Sequence, residues 1–156
     1  KSGFVDTSGK NKVSRFTLSL LTDQHPIYGL IRMTALKKTR ISVPVFISSA
    51  LILAELSLIG TFVVVPNTVW FRRENRRIES RSERMIRYGQ ILFKTERKMI
   101  LPHCLIPWYY LKVIWVSKVT FLVKLKLFFA CFNLFIKYSN SMYGDIVDLF
   151  NSFRLK

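Results

Sequence analysis

The chain has 156 residues, half of them hydrophobic and 14% aromatic, with 25 Lys and Arg against 9 Asp and Glu for a formal net charge of +16. That apolar content excludes disorder for the chain as a whole, and the length suits one domain or a small membrane protein. The charge excess calls for an anionic partner, either acidic lipid or nucleic acid.

Residues 1–40 read as a polar, basic tail, broken by Gly3, Gly9, Pro26 and Gly29 and holding one apolar patch at 16–21 that is worth a turn or two of helix. Asp6 and Asp23 are its only acids, and its Ser, Thr and basic content is faintly like that of a transit region. The chain begins with Lys1, as a processed product or a fragment does.

Residues 41–71 carry a single charge, Glu55. As a helix, 43–65 extends about 34 Å, enough for a bilayer core of about 30 Å. Pro44 sits at the tolerant start of this run and Pro66 closes it. Trp70 falls where an interfacial aromatic belongs. The segment is therefore expected to be a transmembrane helix, the alternative being a buried core helix or a pair of buried strands, since TFVVV is β-branched. Glu55, near mid-span, is expected to be neutral or paired, as a packing contact to a neighbouring helix or partner subunit or, in a transporter, on an ion path.

Between Arg72 and Lys98 there are ten basic and four acidic residues, a net charge of +6. Phe71, Ile78, Met85, Leu92 and Met99 recur every seven residues, which predicts a basic amphipathic helix over 72–99 with one apolar stripe. The opening VWFRRENRR brings to mind a homeodomain recognition helix, whose pattern is VWFxNRR. Here Asn75 follows Trp70 by five positions instead of three, turning it about 140° from Trp70 where the motif needs about 60°. The preceding apolar run also has no place in such a domain, so the resemblance is rejected. Seven arginines, Arg72, Arg73, Arg76, Arg77, Arg81, Arg84 and Arg87, are the expected lipid- or anion-contacting set. They outnumber Arg32, Lys37, Lys38 and Arg40 on the other side of the run. The positive-inside bias then places the amino terminus outside and the arginine helix in the cytosol or an organelle matrix.

Residues 100–138 form a second membrane-associated segment. LPHCLIPWYYL holds two prolines and is expected to bend. On one helix Lys112, Lys118, Lys124 and Lys126 would spread around the axis and leave no face clean for lipid, whereas all four fall on even positions opposite odd ones that are apolar except for Ser117, the alternation of a half-buried strand. A second candidate span centred on 127–136, with lysines snorkelling to one interface, is the competing reading. Residues 139–156 read as a polar tail whose Asp145 and Asp148 lie on an exposed terminal helix. More than half of residues 100–156 are Phe, Tyr, Ile, Asn, Lys or Leu, the composition of AT-rich coding sequence, or of translation past a true reading frame.

Catalytic chemistry is thinly supplied. His103 has no carboxylate near it in sequence and His25, in a polar loop before Pro26, has only Asp23; adjacent His103 and Cys104 seldom point at one another as a nucleophile pair must, and there is no phosphate loop or paired acidic motif. Cys104 and Cys131 give no metal spacing or disulfide framework and read as apolar filler.

The expectation is a mainly α, small integral membrane protein with one transmembrane helix and a second candidate span, joined by a basic amphipathic helix. It is read as a non-catalytic accessory or assembly subunit of a larger complex in the mitochondrial inner membrane or endoplasmic reticulum. Its partners are membrane lipids and membrane subunits, and it needs no cofactor or metal. The alternatives are a basic RNA-associated organellar ribosomal component, with nucleic acid as partner and the apolar runs as core, and a fragment of a polytopic transporter.

Overall fold

The computed structural model describes residues 6–22, 25–40, 47–66, 79–93 and 101–154, with the backbone alone at 25, 81, 91–93 and 152–154. The fold is mainly helical, and the described residues contain no strand.

Helix α1 spans Lys12–Leu21. Asn11 caps it, its side-chain oxygen accepting the Ser14 amide at 2.9 Å, which satisfies one of the donors that a helix start leaves unpaired. Phe16 and Leu20, four apart and so on one face, are buried. A 3₁₀ turn at His25–Tyr28 and the single-turn α2, Met33–Leu36, lead toward α3, Ser48–Ile59. After α4, Arg81–Phe93, come α5, Ile106–Val116, α6, Phe121–Ala130, and α7, Phe132–Arg154.

The core forms where α3 meets α1 on one side and α5 on another, with α6 and α7 closing it. Leu51, Ala54 and Leu58 of α3 share one buried cluster with Phe16 and Leu20 of α1, Ile106, Tyr110 and Val113 of α5, Leu127 of α6 and Leu134 of α7. The Phe16 and Tyr110 rings meet edge to face at 6.3 Å, a geometry worth about 0.5–1.5 kcal/mol beyond area burial. A helix that is apolar all round belongs in an interior. In α3, Ala50, Leu51, Leu53, Ala54, Leu56, Ser57 and Leu58 are buried, around most of its circumference, and only the side carrying Ile52, Glu55 and Ile59 is less covered.

This corrects the expected span. The helix expected over 43–65 covers 12 residues, about 18 Å, well short of the roughly 30 Å of a bilayer core. Among the described residues no helix is long and apolar enough to cross a membrane. The alternative of a buried core helix describes α3. It ends at Gly60, whose backbone is extended at φ −145° and ψ −174°, a conformation open to any residue. The cause is the β-branched run that follows, which resists helix. That run also finds other partners: Thr7 N–H donates to the Phe62 carbonyl at 2.9 Å, Phe62 N–H donates to the Thr7 hydroxyl at 2.7 Å, and Val64 N–H donates to Asp6 at 3.1 Å.

The expected strand at 112–126 is likewise helix. The chain breaks at Ser117, extended at ψ 142°, so Lys112 lies on α5, Lys118 in the link and Lys124 and Lys126 on α6. Once the run is two helices, the argument that four lysines would spoil every face of one helix no longer holds. The Lys124 ammonium donates to the Trp115 carbonyl at 2.7 Å, closing the end of α5. The centre of the second candidate span, 127–136, holds the joint at Cys131. Of the expected tails, 1–40 contributes the core helix α1, and 139–154 continues α7.

Candidate anion-contacting helix and the polar contacts around it

The basic amphipathic helix expected over 72–99 is described as α4, 81–93. Its start is a reciprocal cap: the Ser80 N–H donates to Glu83 at 2.8 Å and the Glu83 N–H donates to the Ser80 hydroxyl at 3.2 Å. The Ser80 amide, and next its hydroxyl, hold the Glu83 carboxyl below its ordinary value. Met85, a member of the predicted apolar stripe, is buried, and Arg84 on the next position is exposed. Arg87 is held by Glu79, its Nε and Nη2 reaching the carboxylate at 3.0 and 2.8 Å, and it lies 4.8 Å from the Tyr88 ring centroid. The Glu79 carboxylate raises the Arg87 pKa above its usual value. Of the other arginines, Arg72, Arg73, Arg76 and Arg77 lie outside the described residues, as do Phe71, Ile78 and Met99 of the stripe. Arg81 begins α4, but its side chain is outside the description.

Glu55 is paired within the chain. Its carboxylate accepts the Arg40 N–H at 2.8 Å and the Arg40 Nε at 2.5 Å. The glutamate side chain is 14% exposed and the arginine 37%, so the contact sits at the edge of the core. A second arginine, Arg15 of α1, donates through Nε to the Ser57 carbonyl at 2.8 Å. This places a cation on the last turn of α3, where the helix carbonyls concentrate negative potential.

Sequence reasoning passed over Asp145. It is buried on α7, not on an exposed terminal helix. Its carboxylate accepts the His103 N–H at 2.7 Å and the Cys104 N–H at 3.3 Å, and the His103 Nδ1 lies 3.0 Å from its other oxygen. These amides stand just before α5, where helix starts present unpaired donors. The aspartate thus ties the α5 entry turn to α7 from 42 positions away. A carboxylate orienting a histidine beside a cysteine has the parts of a nucleophile pair. The Cys104 thiol is directed at the Met142 carbonyl, 3.9 Å away, and the carboxylate clamps the turn to α7.

A cleft lined by Thr7, Arg15, Leu18, Thr22, Leu53 and Phe62 has room for about one water molecule. Among the described residues no group of three or more His, Cys, Asp or Glu is placed to hold a metal ion. An apolar surface is also exposed. Trp108 and Trp115 of α5 and a run of phenylalanines on α6 and α7 are exposed, Trp115 at 80% and Phe121 at 78%. Comparison with protein-family models, curated proteins and solved structures finds no match.

Proposed function

We propose that the chain is a non-catalytic, membrane-associated accessory or assembly component of a larger complex, contacting acidic headgroups through its basic residues. The observation that carries this reading is the exposed aromatic surface of α5 to α7 on a chain of net charge +16. A contiguous apolar patch left open to water marks a docking surface, and the charge favours an anionic one. Membrane subunits of the same complex are the proposed protein partners.

A basic RNA-associated component is the second reading, favoured by the burial of α3, which makes the most apolar run of the sequence a core element. Extraction separates the two. Expressed in cells, the chain should stay with membranes after carbonate and high-salt washes. Release by salt together with RNA would reject the membrane reading in favour of the second.

A further inference from the structure

We infer that the outward face of α6 and α7 is a bilayer-docking surface that seats in an anionic lipid interface with its helices along the membrane plane. This rests on the membrane reading above and names where the lipid contact is made.

The two helices join at Cys131, whose backbone stays helical and whose N–H still donates to the Leu127 carbonyl at 3.1 Å. At about 100° per residue, Phe121, Leu125, Phe132 and Phe135 all point within roughly 60° of Phe128, and Leu122 and Phe129 within roughly 120° on the same side. Leu127, Cys131 and Leu134 fall on the opposite flank of Phe128, turned roughly 60–120° from it away from Leu122 and Phe129, and are the buried residues of this stretch. One side therefore faces the core while a second apolar side, broader than the first, faces solvent. Its rings already touch: Phe132 lies 5.9 Å from Phe128, 6.3 Å from Phe129 and 6.2 Å from Phe135, centroid to centroid.

The rim of this face suits lipid. Lys126 falls on the polar flank, roughly 160° from Phe128, while the Lys137 ammonium is turned to the Leu20 carbonyl of α1. Lys124, about 40° from Phe128 on the flank toward the buried residues, lies over the Trp115 ring at 5.9 Å, and Lys112 lies over Trp108 at 5.5 Å. Amphipathic rings paired with cations on flexible stems are the groups that settle at headgroup depth, the ring toward the acyl chains and the ammonium toward phosphate. A second copy of the chain would bring another +16 charges against this rim, which disfavours self-docking, whereas an anionic leaflet attracts it.

The test is flotation of the full chain with phosphatidylglycerol-containing and pure phosphatidylcholine vesicles, comparing wild type with the Phe128→Ser, Phe132→Ser double variant. Both side chains are about half exposed, so helicity by circular dichroism should be unchanged. Binding to the anionic vesicles should fall by at least about tenfold, since affinity scales with the apolar area inserted. Brominated lipid should quench wild-type tryptophan fluorescence, a readout independent of whether the variant folds. A variant that folds and binds as tightly as wild type overturns this docking face while leaving the membrane reading intact through α4. Wild type that floats with neither vesicle overturns both. Wild type that is unquenched, and forms a dimer which the double variant loses, assigns the face to a second copy instead.

Discussion

At the scale of single residues, the polar contacts that matter join distant parts of the chain. Asp145 is the clearest, because its removal strands two amides at the α5 entry turn. Asp145→Ala should destabilise the fold by about 2–4 kcal/mol in denaturant titration, buried unsatisfied donors costing about 1–3 kcal/mol each. Asp145→Asn, which keeps an acceptor oxygen, should cost less. Equal losses for the two would show that the carboxylate oxygens do not hold the turn. Glu55 and Arg40 form the second pair, partly exposed and so weaker. Arg40→Ala should cost about 1 kcal/mol after allowance for solvent screening. In a double-mutant cycle with Glu55→Gln the two losses should be less than additive. Strict additivity would mean that the contact contributes nothing. The sequence indicated that Glu55 needed a partner, because a lone carboxylate in an apolar run is costly. It did not indicate Asp145, since nothing in YGDIVDLF reveals that a turn 42 positions earlier brings two amides to it.

At the scale of elements, the start of α4 was readable and the end of α3 was misread. Ser80 and Glu83 stand in the Ser-x-x-Glu spacing of a capping box, a signal hidden behind the density of arginines around it. Ser80→Ala should lower the local stability of α4 by about 1 kcal/mol, seen as faster amide exchange in its first turn. Unchanged exchange there would remove the cap from the account. The Glu83 carboxyl has a folded pKa held below its ordinary value by Ser80, and Asp6 is likewise lowered by the Ser8 hydroxyl, then the Ser8 amide and the Val64 amide. A lowered folded pKa means that the stabilisation is fully present above the ordinary carboxylate values of about 3.9–4.3 and is lost as pH falls through the lowered ones. Amide protection at Val64 and Ser80 should therefore hold at neutral pH and fade only in acid. Loss already near pH 6 would contradict these contacts. For α3, hydropathy alone counted 43–65 as one helix, whereas β-branching after Gly60 and pairing with Asp6 and Thr7 divide it. In the same way the even-numbered lysines imitated a strand only because the break at Ser117 was not visible in the alternation.

At the scale of the whole molecule, the mainly helical character followed from the sequence, but the use of its apolar residues did not. The run around Glu55, which hydropathy assigned to lipid, is the interior of a helical cluster. The aromatic residues left facing outward lie on α5 to α7, in the region where lysines had argued against a clean lipid face. Burial depends on which helices meet, and α1 covers α3 through Phe16 and Leu20, two residues of a segment that reads as a polar tail. The result is a basic molecule with a core of its own and a second apolar surface outside it. Membrane association is the central claim, and equilibrium binding of the full chain to anionic vesicles, neutral vesicles and single-stranded RNA across a salt series tests it most directly. The account predicts much tighter binding to anionic than to neutral vesicles, weakening with salt as headgroup attraction is screened but persisting at high salt through the inserted aromatic face. Indifference to vesicles, with RNA binding that falls steeply and linearly in log salt, would contradict it.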